Sequence, residues 1–570
     1  MSISRQYSVM KMSKPLGASE SQKCLNIDTS DLLSASMTQS QAASVVNESL
    51  RADAIPLLDQ TAAEVSTTTF EVTTSKIESQ IIGDKTPLPF EEIPGPAILK
   101  IWEKYWKYVP LLGRLTWNRN VTPLKYLFNE YGCIVRINGP LSGDIVMIHR
   151  PEHIAEVLKQ EGDTPIRSGI DILQHYRLNY RKYRLAGPFS MQGTEWLEVR
   201  EKVEQIFGQI APSFFGKIDT ICDEVITRIY KIRNRQNEVP ASFHEDMVRW
   251  GMECFYDVTF NKRLGFLESP GYNPTSETSR IINALLTAHK YMSRCETGFQ
   301  VWRFFLTPFA KKLFEACDVL DNVIGKYVRQ AQGKLRIRKS HHAEKSLMAE
   351  DSSPVLEKLL VNEGIHPEDI CTLLMDMIIL GVQATANSEA FMLYNLAKNP
   401  RTQRRLYDEI TSVLPNNDAP FTERTLKNMP YLKACLQETL RLHPAIPYIT
   451  RLLPKTIHLH GYTIPKGTFV IMANQITSQR EENFEDPLKF RPERWLSNCA
   501  KEDTDFSYLP FGYGVRSCLG KSMAQTKMML LTAKLVRQFR VEYDYADIKN
   551  KFMMVNVPNK PLRFRFVNRY

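Results

Sequence analysis

The residues Phe511-Gly512-Tyr513-Gly514-Val515-Arg516-Ser517-Cys518-Leu519-Gly520 form the pattern F-G-x-G-x-R-x-C-x-G. Cys518 offers a thiolate to iron, and such a ligand pushes electron density onto the metal and favours O–O cleavage. Gly512, Gly514 and Gly520 let the backbone approach a flat group closely and supply amides to a sulfur ligand. Arg516 can pair with a carboxylate through a fork of N–H donors. The bland alternative is a buried cysteine in a glycine-rich turn. Six fixed positions, from Phe511 to Gly520, make a chance match of order one in 10⁵ for a chain of this length.

Several helices must position that loop. Proline near the first position and acids in the first turn start a helix at His366-Pro367-Glu368-Asp369, and Pro400 ends it. About 31 residues at 1.5 Å each make a rod of ~46 Å, long enough to cross a domain. Its middle is apolar all round, which predicts burial; Asp376 and Gln383 interrupt it and weigh against a membrane span. A second helix runs from Pro430 to Pro444 and sets Glu438 and Arg441 on one face at i,i+3. Trp196 and Arg200 stand at i,i+4 on a third. Strand-like runs occur at Cys133–Ile137, Ile145–Ile148, Thr456–Tyr462 and Thr468–Ala473. The fold class is therefore mainly α with a minor β-sheet.

Composition sets the frame. The chain has 570 residues, 43% hydrophobic and 24% charged, which suits a globular body. No run of 18 apolar residues occurs. Ten scattered cysteines without a C-x-x-C pair argue against a disulfide scaffold or a cysteine-rich zinc site, and fit a reducing compartment. Residues 1–90 hold 7 Lys/Arg, 10 Asp/Glu and 24 Ser/Thr, too polar to offset ordering entropy, so residues 1–89 are expected to form a disordered tail. Its first 19 residues carry Arg5, Lys11 and Lys14, several serines and no acid, the make-up of a mitochondrial transit peptide. The tail's net charge is −3 and the whole chain's is +10, leaving +13 on residues 91–570. A basic body points to an acidic protein partner or an anionic membrane surface; no nucleic-acid module appears. The body is expected over residues 90–570, with Ser340–Pro354 as a polar surface loop.

With these motifs in hand, residues 90–570 resemble a cytochrome P450. The resemblance implies that fold, haem b as cofactor, and Cys518 as its axial ligand, with Phe511, Gly512, Gly514 and Gly520 shaping the loop. It implies a Glu438, Arg441, Arg494 network that locks the segment under the haem, Arg494 lying in Pro492-Glu493-Arg494-Trp495. Trp196, Arg200, Arg451 and Arg516 would meet the haem propionates. The long helix of the family carries small-Gly-x-acid-Thr-Thr/Ser over the haem. Here it reads Leu380-Gly381-Val382-Gln383-Ala384-Thr385, so glutamine replaces the acid and alanine the first threonine. Dioxygen activation needs two protons on that side; glutamine does not ionise and alanine offers no side-chain hydrogen bond. Three readings follow. Thr385 with ordered water substitutes, which requires local unwinding near Gly381. The substrate supplies the hydroxyl. Or the enzyme is no dioxygen monooxygenase. Gln383 and Thr385 are the residues assigned to the oxygen side.

The transit-like start, without an amino-terminal anchor, resembles the mitochondrial clan, in its arthropod and other invertebrate form. That implies a two-iron, adrenodoxin-like ferredoxin and its NADPH reductase as electron donors, and a location on the matrix side of the inner membrane. The clan's L-K-x-x-x-K-E is matched by Leu432-Lys433 and Glu438, with Gln437 in place of the second lysine. Its G-R-R becomes Gly520-Lys521-Ser522. Lys433 and Lys521, with Lys527 as a further candidate, are the residues expected to face the ferredoxin. Phe299–Leu306, aromatic and followed by Pro308, reads equally as a peripheral membrane contact or the start of a core helix. The reaction implied is hydroxylation of an apolar substrate (steroid-like, lipid or xenobiotic) by O₂. Substrate contacts are expected near 165–190 and 275–310. The rivals are an isomerase or dehydratase, a peroxide-using enzyme, and a non-catalytic haem-binding sensor.

Overall fold

A computed structural model describes residues 87–96, 123–139, 143–210, 214–268, 276–296, 300–340, 354–362, 364–416, 418–496 and 506–569. The tail expected over 1–89 lies outside them except for its last three residues, and the polar loop expected at 340–354 falls outside apart from its two ends. Within them, Leu88 already pairs with the body: its amide reaches Gly461 O and its carbonyl accepts from Thr463 N.

Helices dominate. Those that build the site are α1 (Gly193–Ile210), α2 (Phe243–Phe260), α3 (Glu277–Glu296), α4 (Pro308–Ser340), α5 (Pro367–Asp376), α6 (Gln383–Lys398), α7 (Pro430–Leu442) and α8 (Lys521–Gln538). The expected long helix is real but interrupted: Met377–Val382 forms a π-helical segment between α5 and α6. Its start is capped by the His366 side chain, which accepts from Glu368 N, with Pro367 in the first turn. Nearly every residue of α6 is buried, from Gln383 to Ala397. A helix apolar on every face has no solvent side and belongs in the core. The π segment packs on α2, where Gly251 meets Val382; a Cβ there would sit 2.9 Å from Val382 Cγ1.

The sheet is small. Strands β1 (Ile134–Gly139), β2 (Gly143–Ile148), β3 (Ile449–Leu452) and β6 (Phe469–Met472) form one sheet in the order β1-β2-β6-β3. The β2–β6 pair is parallel and the other two are antiparallel. Along β2, Ile145 and Met147 join one apolar cluster while Val146 and Ile148 join another, so both faces are covered. The run expected at Thr456–Tyr462 is instead a hairpin, β4 (Ile457–Leu459) with β5 (Tyr462–Ile464), turned at His460 and Gly461, both at positive φ. Two further two-stranded pieces are β7 (Phe539–Glu542) with β10 (Arg565–Asn568), and β8 (Asn550–Met553) with β9 (Val555–Pro558).

Candidate active site

The Phe511–Gly520 loop leads into α8, and the Cys518 sulfur opens into a cavity of about 410 Å³. The Gly520 amide hydrogen-bonds that sulfur. Burial pushes the thiol above its ordinary value, and the Gly520 amide, Arg200, Arg167 and Lys521 pull it down. The loop is held by Cys518 N donating to Phe511 O at 2.9 Å. Phe511, Gly512, Arg516, Cys518 and Gly520 line the cavity as expected. Gly514 does not. It sits at φ +65, where an added Cβ would meet Glu161 Oε1 at 2.5 Å, so it serves the turn and not the cavity wall.

One wall is built of guanidiniums. Arg516 donates to Pro165 O (2.9 Å), Met191 O (3.1 Å) and Gln192 Oε1 (2.8 Å), and its carbon lies 3.4 Å from the Trp196 ring centroid. Arg200 reaches Ser517 O at 2.7 Å, joining α1 to the cysteine loop. Arg451 pairs with Glu161 at 2.5 Å. Arg167, which sequence reasoning missed, also lines the cavity and stacks on Phe189 at 4.1 Å. Burial, then the other three arginines, lowers the Arg516 guanidinium well below its ordinary value. Among the described residues, Arg516 Nη1 and Arg167 Nε are buried without a partner. Four arginines meet only two glutamates, buried Glu161 at Arg451 and exposed Glu204 at Arg200, so this wall is short of negative charge, and unpaired buried charge is costly. The two propionates of a haem would supply that charge, so the residues present fit the group.

Opposite stands the interrupted helix. Leu380, Gly381, Val382, Ala384, Thr385 and Ser388 line the cavity. Near Gly381 the helix widens into the π segment Met377–Val382, which ends three residues before Thr385. Thr385 Oγ1 donates to Gly381 O at 2.9 Å. Gln383 departs from expectation. It is buried and does not line the cavity; its carbonyl and Oε1 accept from Asn387 Nδ2 at 2.7 and 3.4 Å, and Asn387 Oδ1 meets His244 Nε2 at 3.0 Å. The side chain follows Val382 into the α2 interface, one helical step from the cavity face.

The cavity roof is clamped to the same helix. Arg177 pairs with Asp376 at 2.7 Å, both buried, and Asp376 Oδ2 accepts from Phe189 N at 3.1 Å. Arg184 pairs with Asp369, and Arg181 with Asp321 of α4 at 2.6 Å. Ile170, Pro188 and Phe189 of the expected 165–190 segment line the cavity, whereas none of its described lining residues comes from 276–310. Below, Glu438 accepts from Arg441 at 2.8 and 2.9 Å, from Arg494 at 3.1 Å, from Trp495 Nε1 at 2.9 Å and from Arg491 N at 3.0 Å. Arg441 also donates to Ser478 O and Pro487 O, each at 2.7 Å. The expected triad is thus assembled, with Trp495 and the Arg491 amide as members that E-x-x-R does not announce.

Of the lysines, Lys433 is exposed on α7 and Lys521 is half-buried at the start of α8. Lys527 is a correction. It is 5% exposed, lines the cavity and lies over the Trp250 ring, so it faces no partner. Phe304, Phe305 and Leu306 are 78%, 62% and 55% exposed, while Trp302 is buried. The segment is therefore not the start of a core helix.

The comparisons with known proteins agree with this site. The family model "Cytochrome P450" matches residues 103–566. The chain is 34% identical over 500 residues to "Probable cytochrome P450 12a5, mitochondrial" of Drosophila melanogaster, covering 84% of this chain and 91% of that protein. It is 32% identical to "Cytochrome P450 CYP12A2" of Musca domestica, covering 80% and 87%. With "Cytochrome P450 302a1, mitochondrial" of Drosophila melanogaster it shares 27% identity over 83% of this chain and 94% of that one. The family match spans the cysteine loop, the arginine wall and the long helix together, and the chain belongs to the cytochrome P450 family of haem monooxygenases.

Proposed function

We propose that this enzyme hydroxylates an apolar substrate with O₂ and electrons from an acidic two-iron ferredoxin, itself reduced by an NADPH-dependent reductase. The observation that carries the reading is the Cys518 sulfur, opening into the cavity under the Gly520 amide. When bound, haem would supply the dioxygen-activating chemistry, and Cys518 would hold its iron through a thiolate. The chain's own residues do the rest. Trp196, Arg167, Arg200, Arg451 and Arg516 would hold the propionates of the group. The Glu438, Arg441 and Arg494 network fixes the segment beneath it. Thr385 would hold a proton at its Oγ1 on the cavity wall, that hydroxyl anchored by its donation to Gly381 O. The wall of Ile170, Leu373, Met377, Leu380, Ile446 and Ile449 excludes water and suits a steroid-like, lipid or xenobiotic skeleton.

Lys433 and Lys521 form the ferredoxin face, with Lys433 supplying the exposed charge. The mitochondrial names of similar insect proteins support a location in the mitochondrion; the matrix side of the inner membrane follows from the proposed ferredoxin donor and membrane contact. The exposed Phe304-Phe305-Leu306 tip, continued by Phe309 and flanked by exposed Lys311 and Lys312, dips into that membrane as a peripheral contact. Turnover with a ferredoxin, its reductase and NADPH, but not without the ferredoxin, tests the donor. A second reading, peroxide-driven oxidation or isomerisation, is favoured by Ala384 and by the turning of Gln383 away from the cavity. Peroxide-driven turnover faster than ferredoxin-driven turnover supports it.

A further inference from the structure

Lys527 lies nine positions after Cys518, on α8, and its side chain enters the interior instead of solvent. Its Nζ stands 5.3 Å from the centroid of the Trp250 ring, which is fully buried. Lys527 lines the same cavity as the Cys518 sulfur, beside Thr259, Met523 and Ala524. The acids of α2 that face this region are engaged elsewhere. Glu253 binds Arg263 at 2.8 Å and accepts from the amides of Leu264, Gly265 and Phe266. Asp257 pairs with Lys217 at 3.5 Å. On α6, Glu389 is bonded to Thr532. Lys527 forms no ion pair among the described residues; burial pushes the nearby Cys254 thiol up to about 11, and the Lys527 charge opposes that rise.

A buried ammonium without a counter-ion is expensive, and an aromatic face offsets part of that cost. Protein chains keep such a charge where another group answers it. In this cavity the answering group is the redox centre that Cys518 anchors. Reduction of the iron removes one positive charge, and a fixed cation in a low-dielectric wall favours the form with less positive charge. We propose that Lys527 is a positioning residue for redox potential: its buried charge raises the midpoint of the Cys518-ligated haem and so eases the first electron transfer. The inference rests on haem ligation by Cys518, not on the identity of the substrate or electron donor.

The test is a spectroelectrochemical titration of haem-loaded wild type, Lys527→Met, Lys527→Gln and Lys527→Arg. The neutral variants are expected to lower the reduction equilibrium constant about tenfold, 59 mV for one electron. Lys527→Arg is expected to stay within about threefold of wild type. Because the charge is buried, the shift should persist from 0.05 to 0.5 M salt, over which the Debye length falls from about 14 to about 4 Å. Lys551→Met, at the exposed surface and outside every proposed contact, should leave the midpoint unchanged. A neutral variant with the wild-type midpoint, or a shift abolished by salt, overturns the proposal. So does failure of both neutral variants to fold while Lys527→Arg folds, which assigns the charge to the scaffold. Loss of ligation by Cys518 would appear separately, as loss of the thiolate-type carbon monoxide spectrum.

Discussion

Glu389 provides a test of the core that needs no substrate. It sits on α6 with no exposed surface; Thr532 Oγ1 donates to its Oε1 at 2.9 Å, and Oε2 has no partner among the described residues. Burial pushes its carboxyl up to about 8, against only a small opposing effect of the Thr532 hydrogen bond. A folded value raised above the unfolded one contributes stability that is complete below the unfolded value and is lost as pH rises through the folded value. The window is therefore from about 4.5 to about 8, with a slope near 1.4 kcal/mol per pH unit. Glu389→Gln removes the ionisation and keeps the Thr532 acceptor. At pH 7 it should be about 3 kcal/mol more stable than wild type, and at pH 5 less than about 1 kcal/mol. For roughly 480 folded residues the unfolding entropy is about 1 kcal/mol/K, so the melting temperatures should differ by about 3 °C at pH 7 and under about 1 °C at pH 5. Differential scanning of the two haem-loaded proteins at matched scan rate, from pH 5 to 8, measures this. A difference that does not grow with pH, or a Gln variant that loses ground at pH 8, refutes the reasoning.

Glu438→Ala strips the carboxylate from five donors and leaves Arg441 buried and uncompensated; a cost of about 3–5 kcal/mol and a fall in haem occupancy are expected, read from the haem-to-protein absorbance ratio. Arg516→Met should lower haem occupancy at least tenfold at limiting haem, and Arg516→Lys should not restore it, because a single ammonium cannot serve Pro165, Met191 and Gln192 together. Thr385→Val should leave NADPH consumption near wild type and cut product per NADPH about tenfold, whereas Ala384→Thr should raise it; unchanged coupling in both removes Thr385 from proton handling. Phe304→Ser with Phe305→Ser exchanges two largely exposed rings, each worth about 2 kcal/mol on burial, and should weaken sedimentation with anionic lipid vesicles about 100-fold or more.

What the sequence disclosed follows a physical line. Residues whose role depends on backbone spacing were readable: the Cys518 loop, Glu438 with Arg441 at i,i+3, and Trp196 with Arg200 at i,i+4. The long helix was readable from its Pro367 and Pro400 boundaries and its all-round apolarity, but its π segment was not, since one extra residue in a turn leaves no compositional mark. Gln383 was misplaced for the same reason, and Lys527, on the regular helix α8, because a lysine is read as a surface residue until packing turns it inward. A residue type fixes what a side chain can do, while the face it takes depends on a register set by packing against α2. Arg167 was missed because a lone arginine between Ile166 and Ser168 carries no periodic signal; only its convergence with Arg451, Arg200 and Arg516 gives it meaning. The clamp from Arg177 to Asp376 spans 199 positions and is visible only once the chain is folded.

In the proposed function Cys518 presents a thiolate to haem iron in an enzyme fed by a ferredoxin. The carbon monoxide difference spectrum of the haem-loaded protein, reduced by a two-iron ferredoxin with its reductase and NADPH, tests it most directly, with Cys518→Ser alongside. The wild type should show the red-shifted Soret band of a thiolate–CO complex, and Cys518→Ser should lose it. The same band in Cys518→Ser, or a wild-type band without the red shift under dithionite, would contradict the thiolate. A red-shifted band that appears with dithionite and never with the ferredoxin would contradict the electron donor.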